Sequence, residues 1–139
     1  MSPEVLITII GVGIVALTLL VIVLKILIRR APLKVKRQKV QRKWKELQKY
    51  CGSKETWPKA LTEADKLLDK ILIKRGFKGK NMGERLVSAQ REFSDNDALW
   101  FGHKLANKTI EDADLKLKEK DVKEALLGFG QALKDLGAL

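Results

Sequence analysis

The sequence predicts an all-α protein: an N-terminal transmembrane helix, a basic amphipathic connector helix, and a small antiparallel helical bundle. Residues 5–24 contain no charged side chain. Beyond residue 40, apolar residues recur at spacings of three and four, the period of a helix with one buried face. Only three prolines interrupt 139 residues, aromatics make up 6%, and no alternating strand pattern or internal repeat occurs. The chain therefore divides into an anchor (1–32), a juxtamembrane helix (33–51) and a bundle (52–139).

The net charge of +11 is unevenly spread. Residues 33–50 hold eight Lys or Arg against one Glu, while residues 51–139 hold seventeen basic against fifteen acidic residues. The basicity thus belongs to the connector, and the bundle is close to neutral. With one cysteine, Cys51, and one histidine, His103, no intrachain disulfide can form and a structural zinc site is not expected. No cofactor is expected.

The stretch "VLITIIGVGIVALTLLVIVL" spans about 30 Å as a helix, the thickness of a bilayer's hydrocarbon core. Lys25 can snorkel to the head groups, and Arg29 and Arg30 follow. A cleavable signal peptide fits poorly: Glu4 precedes the run, the run is too long, and "KILIRRAP" has no small-residue cleavage site. Gly11 and Gly13 lack the GxxxG spacing of a helix-dimer face. Ten of the residues from 29 to 49 are Lys or Arg, against none before residue 5. The positive-inside rule then places the N-terminus outside an inner membrane and the bundle in the cytoplasm.

Pro32 should end or kink the membrane helix. In the connector, Val40, Trp44, Leu47 and Cys51 form one apolar stripe among Lys34, Lys36, Arg37, Lys39, Arg42, Lys43, Lys45 and Lys49. Two readings stand side by side. The helix lies on anionic lipid head groups through these cations, or its stripe docks on the domain that follows. RNA binding by the basic run is a third, less favoured reading.

Four helices are expected in the bundle. Pro58 suits the first turn of one whose apolar face is Leu61, Ala64, Leu67, Leu68, Ile71 and Leu72. Gly76 stops it, with Phe77 placed to touch Leu72. Asn81 and Glu84 form a capping-box pattern ahead of Met82, Leu86, Ala89 and Phe93. Glycines 76, 79 and 83 read as turns and caps, because no phosphate-loop motif accompanies them. Ser94 is expected to cap the next helix, with Asp95 and Asp97 in its first turn and Leu99, Trp100, His103 and Ala106 or Asn107 on one face. The last helix runs from about Lys118 to Leu136, with Val122, Ala125, Leu126, Phe129, Leu133 and Leu136 inward and Gly137 as its stop. Gly128 and Gly130 inside it suggest close helix approach.

"LW..HKL.N", followed by an acidic loop and an amphipathic last helix, resembles the end of a HEPN-type helical domain over residues 57–139. That resemblance implies an R-N-x-x-x-H motif serving RNA cleavage. Asn107 matches its asparagine, but Ala106 stands at the arginine position and Glu111 at the histidine position. Alanine cannot steady a phosphorane and a glutamate repels the scissile phosphate, so the resemblance implies a non-catalytic member. His103 reads as a partly buried imidazole bonded to a carbonyl or carboxylate, ahead of a catalytic arrangement with Asp112 or Asp114 and Ser88 or Ser94. "EDAD" lacks the spacing of a calcium loop. The expected function is non-enzymatic protein–protein interaction at the membrane. Trp44, Trp57 and Trp100 are anchor candidates, and Trp100, His103, Asn107 and Lys108 form a candidate binding face. An RNA- or nucleotide-binding module is the rival.

Overall fold

The computed structural model describes residues 1–30 and 34–139, with side chains for 1–28 and 37–139. Pro32, expected to kink the first helix, and the side chains of Lys34 and Lys36 lie outside the described residues. Among those residues there are six α-helices and no strand: α1 (Pro3–Arg30), α2 (Lys34–Gln48), α3 (Trp57–Lys74), α4 (Met82–Ala89), α5 (Asn96–Glu111) and α6 (Glu119–Asp135). They fall into two compact units, Met1–Ala31 and Pro32–Leu139.

The first unit is α1 alone. Its stretch Pro3–Ile28 has mean hydropathy 3.0, none of it is buried, and it is long and apolar enough to cross a membrane. Its threonines satisfy their hydroxyls internally: Thr8 Oγ1 donates to the Glu4 carbonyl at 2.9 Å and Thr18 Oγ1 to that of Val15 at 2.8 Å. A helix without water at its sides needs such back-bonding.

The second unit is a helical bundle with α3 at its centre, in contact with α2, α4, α5 and α6. Leu61, Leu68, Leu72, Leu86, Leu99, Phe129 and Leu133 are fully buried, each contributing about 1.5–3 kcal/mol of hydrophobic burial. Ends are set by local chemistry. Gly76, at φ 77°, closes α3, with the Phe77 N–H on the Leu72 carbonyl at 3.1 Å. Gly137, at φ 68°, closes α6 the same way, with the Ala138 N–H on Leu133 at 2.8 Å. Both are Schellman endings, which require the left-handed conformation glycine adopts without strain. At α4, Asn81 Oδ1 accepts the Glu84 N–H at 2.9 Å, while Glu84 returns its carboxylate to the Lys80 N–H at 2.7 Å.

One expectation is corrected. The cap of α5 is Asp95, whose Oδ1 accepts the Ala98 N–H at 2.9 Å. Ser94 instead donates both its N–H and hydroxyl to Asp135 Oδ2 at 2.8 Å, tying the start of α5 to the end of α6. In the second unit α2 packs against α3. Its stripe is covered by the bundle, with Val40 and Leu47 7% and 4% exposed, and Trp44 packs on Gly130. Apolar atoms closed into a core cannot also lie in lipid, so the docking reading of the stripe holds.

α5 and α6 form the most extensively packed pair, and glycines make the approach possible. A Cβ on Gly128 would lie 2.6 Å from the Ala98 carbonyl oxygen, and one on Gly102 would lie 3.0 Å from Phe129 Cε2 and 3.1 Å from the Ala125 carbonyl oxygen.

Candidate functional site

Two places on the bundle gather chemistry-bearing side chains. The first is the face of α5 where Trp100, His103 and Asn107 follow one another at helical spacing. His103 is buried, and its Nδ1 lies 2.8 Å from Asp65 Oδ1 on α3. Its Nε2 lies 3.3 Å from Asn107 Nδ2. A carboxylate accepts, so Nδ1 is the donor toward Asp65, and the Asn107 amide meets Nε2. The Trp100 ring meets the imidazole edge-on, with centroids 5.8 Å apart, and the Gly83 position at the start of α4 lies beside both rings.

The expected carboxylate partner is therefore present, but it comes from α3 rather than from the loop after α5. Asp112 accepts the Asp114 N–H at 3.0 Å in its own turn. Neither imagined nucleophile bonds to the imidazole: Ser88 donates to the Lys78 carbonyl at 2.6 Å, and Ser94 serves Asp135. Ala106 is fully buried, Glu111 is exposed, and the exposed Lys108 makes none of these bonds. With both ring nitrogens occupied by positioned partners, the arrangement crosslinks α3 to α5. Among the described residues no three His, Cys, Asp or Glu side chains are grouped to hold a metal.

The second place is a groove of about 200 Å³ between α2 and α3. Arg37, Lys39 and Lys43 line it from α2, and Lys70, Lys74 and Arg75 from the C-terminal end of α3. Val40, Leu67 and Ile71 supply its apolar floor, and Gly137 and Ala138 flank it. Two arginines tie in the last residues: Arg37 Nη2 donates to the Leu139 main-chain oxygen at 2.9 Å, and Arg75 Nη2 donates to the Leu136 carbonyl. No Asp or Glu side chain lines the groove among the described residues. The other expected cations of α2, Arg42, Lys45 and Lys49, are exposed outside it.

α3 creates this imbalance by sorting its charges. Asp65 is held by His103, and Asp69 accepts Arg85 Nε and Nη2 at 2.6 and 2.8 Å. That bidentate bond holds the Arg85 guanidinium firmly in its charged form, its pKa raised first by the hydrogen bond to Asp69. Lys70 and Lys74 meanwhile stay exposed on the side of α2. These two lysines and Arg75 escaped the sequence reading, because a charge count over residues 51–139 cancels them against acids such as Asp65 and Asp69, which face other helices, and Glu63, which lines the adjoining cavity with Lys43 and Lys70. The available signal was the pair of offset i, i+4 series in α3, Asp65–Asp69 against Lys66–Lys70–Lys74.

At the edge of the same unit, Cys51 is half-buried and burial pushes its thiol pKa up, the opposite of an activated nucleophile. Compared with family models, curated proteins and solved structures, the chain matches none.

Proposed function

We propose that this is a single-pass membrane protein without enzymatic activity, holding its helical bundle at the cytoplasmic face of an inner membrane to bind a protein partner there. The observation that carries the reading is α1: Pro3–Ile28 has mean hydropathy 3.0, carries no charge between Glu4 and Lys25, and is not buried. An apolar helix of that length has a stable place in a bilayer and none in water. The ten Lys and Arg between residues 29 and 49 favour the cytoplasmic side for everything after it. A tether confined to the membrane plane raises the effective concentration of the bundle toward any other membrane-bound protein. The non-enzymatic part is supported by Ala106 and Glu111, which stand where an R-N-x-x-x-H motif around Asn107 would have its arginine and histidine.

Protease added to sealed inner-membrane vesicles of known orientation tests the placement. Inverted vesicles should expose residues 52–139 to digestion and right-side-out vesicles should protect them; the reverse pattern would overturn it. Photo-crosslinkers at Lys108 and Trp100 should then give one discrete protein adduct in the membrane fraction. Adducts to RNA alone would favour the nucleic-acid reading.

A further inference from the structure

We propose that the groove between α2 and α3 is a binding site for the phosphate-bearing headgroup of an anionic phospholipid. The reading rests on α1 spanning the membrane, and it goes beyond a diffuse attraction of α2 for lipid because half of the grip comes from α3. Lys39, Lys43, Lys70 and Lys74 face one cavity with no Asp or Glu among its lining residues, beside Arg37 and Arg75, which hold the main-chain oxygens of Leu139 and Leu136. A cavity lined this way repels cations, and a phosphate can be met by lysines from both walls at once. The floor of Val40, Leu67 and Ile71 suits the apolar part of an amphiphile beneath a charged rim.

Two observations favour lipid over other polyanions. No aromatic side chain lines the groove, so the bases of a single-stranded nucleic acid would find no stacking platform. Arg37 also follows Arg30 by only seven residues, which extended chain spans in at most about 25 Å. A groove on that short a tether from the end of a membrane helix meets lipid head groups at high effective concentration.

Specific and diffuse binding differ in which lysines matter. On a diffuse cationic surface, Lys45 and Lys49 of the α2 segment count as much as Lys70 and Lys74. In the groove reading, the α3 pair dominates although it lies farther along the chain from α1. The test uses the full chain in phosphatidylcholine nanodiscs, with and without phosphatidylglycerol, following the labelling rate of each lysine by mass spectrometry. Lys70 and Lys74 should be protected only when phosphatidylglycerol is present, with Lys118 and Lys120 unchanged. Lys70→Gln with Lys74→Gln should weaken the apparent affinity for phosphatidylglycerol about 25-fold, at roughly fivefold per cation near an anionic surface. Lys45→Gln with Lys49→Gln should leave it within about twofold. All four lysines are exposed, and circular dichroism confirms that each variant keeps its fold.

Equal effects of the two pairs, or uniform protection of all lysines, would overturn the site. Protection by inorganic phosphate in neutral discs would assign the groove to a free anion, and stronger protection by an acidic peptide or RNA would assign it to that partner; each contradicts the lipid assignment. Failure of the chain to enter neutral discs would tell against the anchor instead. Short-chain phosphatidylglycerol, added below its micelle concentration, would then decide the groove independently.

Discussion

Replacing Gly128 by alanine sets helix propensity against packing, and the geometry decides the sign. In an exposed helix interior the exchange stabilises by about 0.5–1 kcal/mol. Here the added Cβ would lie 2.6 Å from the Ala98 carbonyl oxygen, 2.8 Å from the Ala98 carbonyl carbon and 3.2 Å from the Leu99 nitrogen. All three are main-chain atoms inside α5, so no side chain can rotate away and the two helices must separate. Overpacking of that kind costs about 1–3 kcal/mol, and parting α5 from α6 also loosens Phe129 against Gly102, which pushes toward the upper end. The expected net loss is about 1–2 kcal/mol, or roughly 4–8 °C in Tm per kcal/mol for a domain near this size. Urea and thermal unfolding of the full chain in neutral detergent, followed by tryptophan fluorescence, measures it. Gly52→Ala, where a Cβ meets nothing within 4 Å, should stay within about 0.5 kcal/mol. A Gly128→Ala protein as stable as the parent would refute the close α5–α6 contact.

Three further outcomes are expected. Asp65→Ala should cost about 1–3 kcal/mol in urea unfolding, because it leaves the buried His103 N–H without its acceptor. Burial works against the charged form of Asp135, but hydrogen bonds from the Ser94 N–H, Gln131 and the Ser94 hydroxyl outweigh it and hold its pKa below the usual value. Its contribution is therefore fully present above about pH 4 and lost as pH falls through the lower folded-state pKa. Asp135→Ala should accordingly be less stable than the parent at pH 7 and converge with it in acid, as thermal melts across pH would show. Cys51, with its thiol pKa raised by burial, should react with iodoacetamide more slowly than a free thiol at pH 8 and catch up in urea.

What could be read from the sequence follows the range of the interactions involved. The apolar α1 is a property of composition alone, and the glycine stops at Gly76 and Gly137 and the Asn81 cap involve partners within a few residues. The choice between Ser94 and Asp95 as cap of α5 was not local: it depends on Asp135, 41 residues beyond Ser94, which takes the serine for itself. Periodicity revealed the stripe on α2 but not what covers it, since a stripe on lipid and a stripe on α3 have the same spacing. His103 was legible as a bonded imidazole, while its partner Asp65 lies 38 residues away on another helix. The groove was the least legible feature. Its six cations come from one basic segment and one whose charges nearly cancel, and only packing brings them to one cavity.

The anchor is tested most directly by extracting native membranes with alkaline carbonate and mapping peptides of the protein that stays behind. Membrane retention with residues 3–28 still attached to the bundle is the expected result. A bundle released into the supernatant, or one retained without those residues, would contradict a membrane-spanning α1.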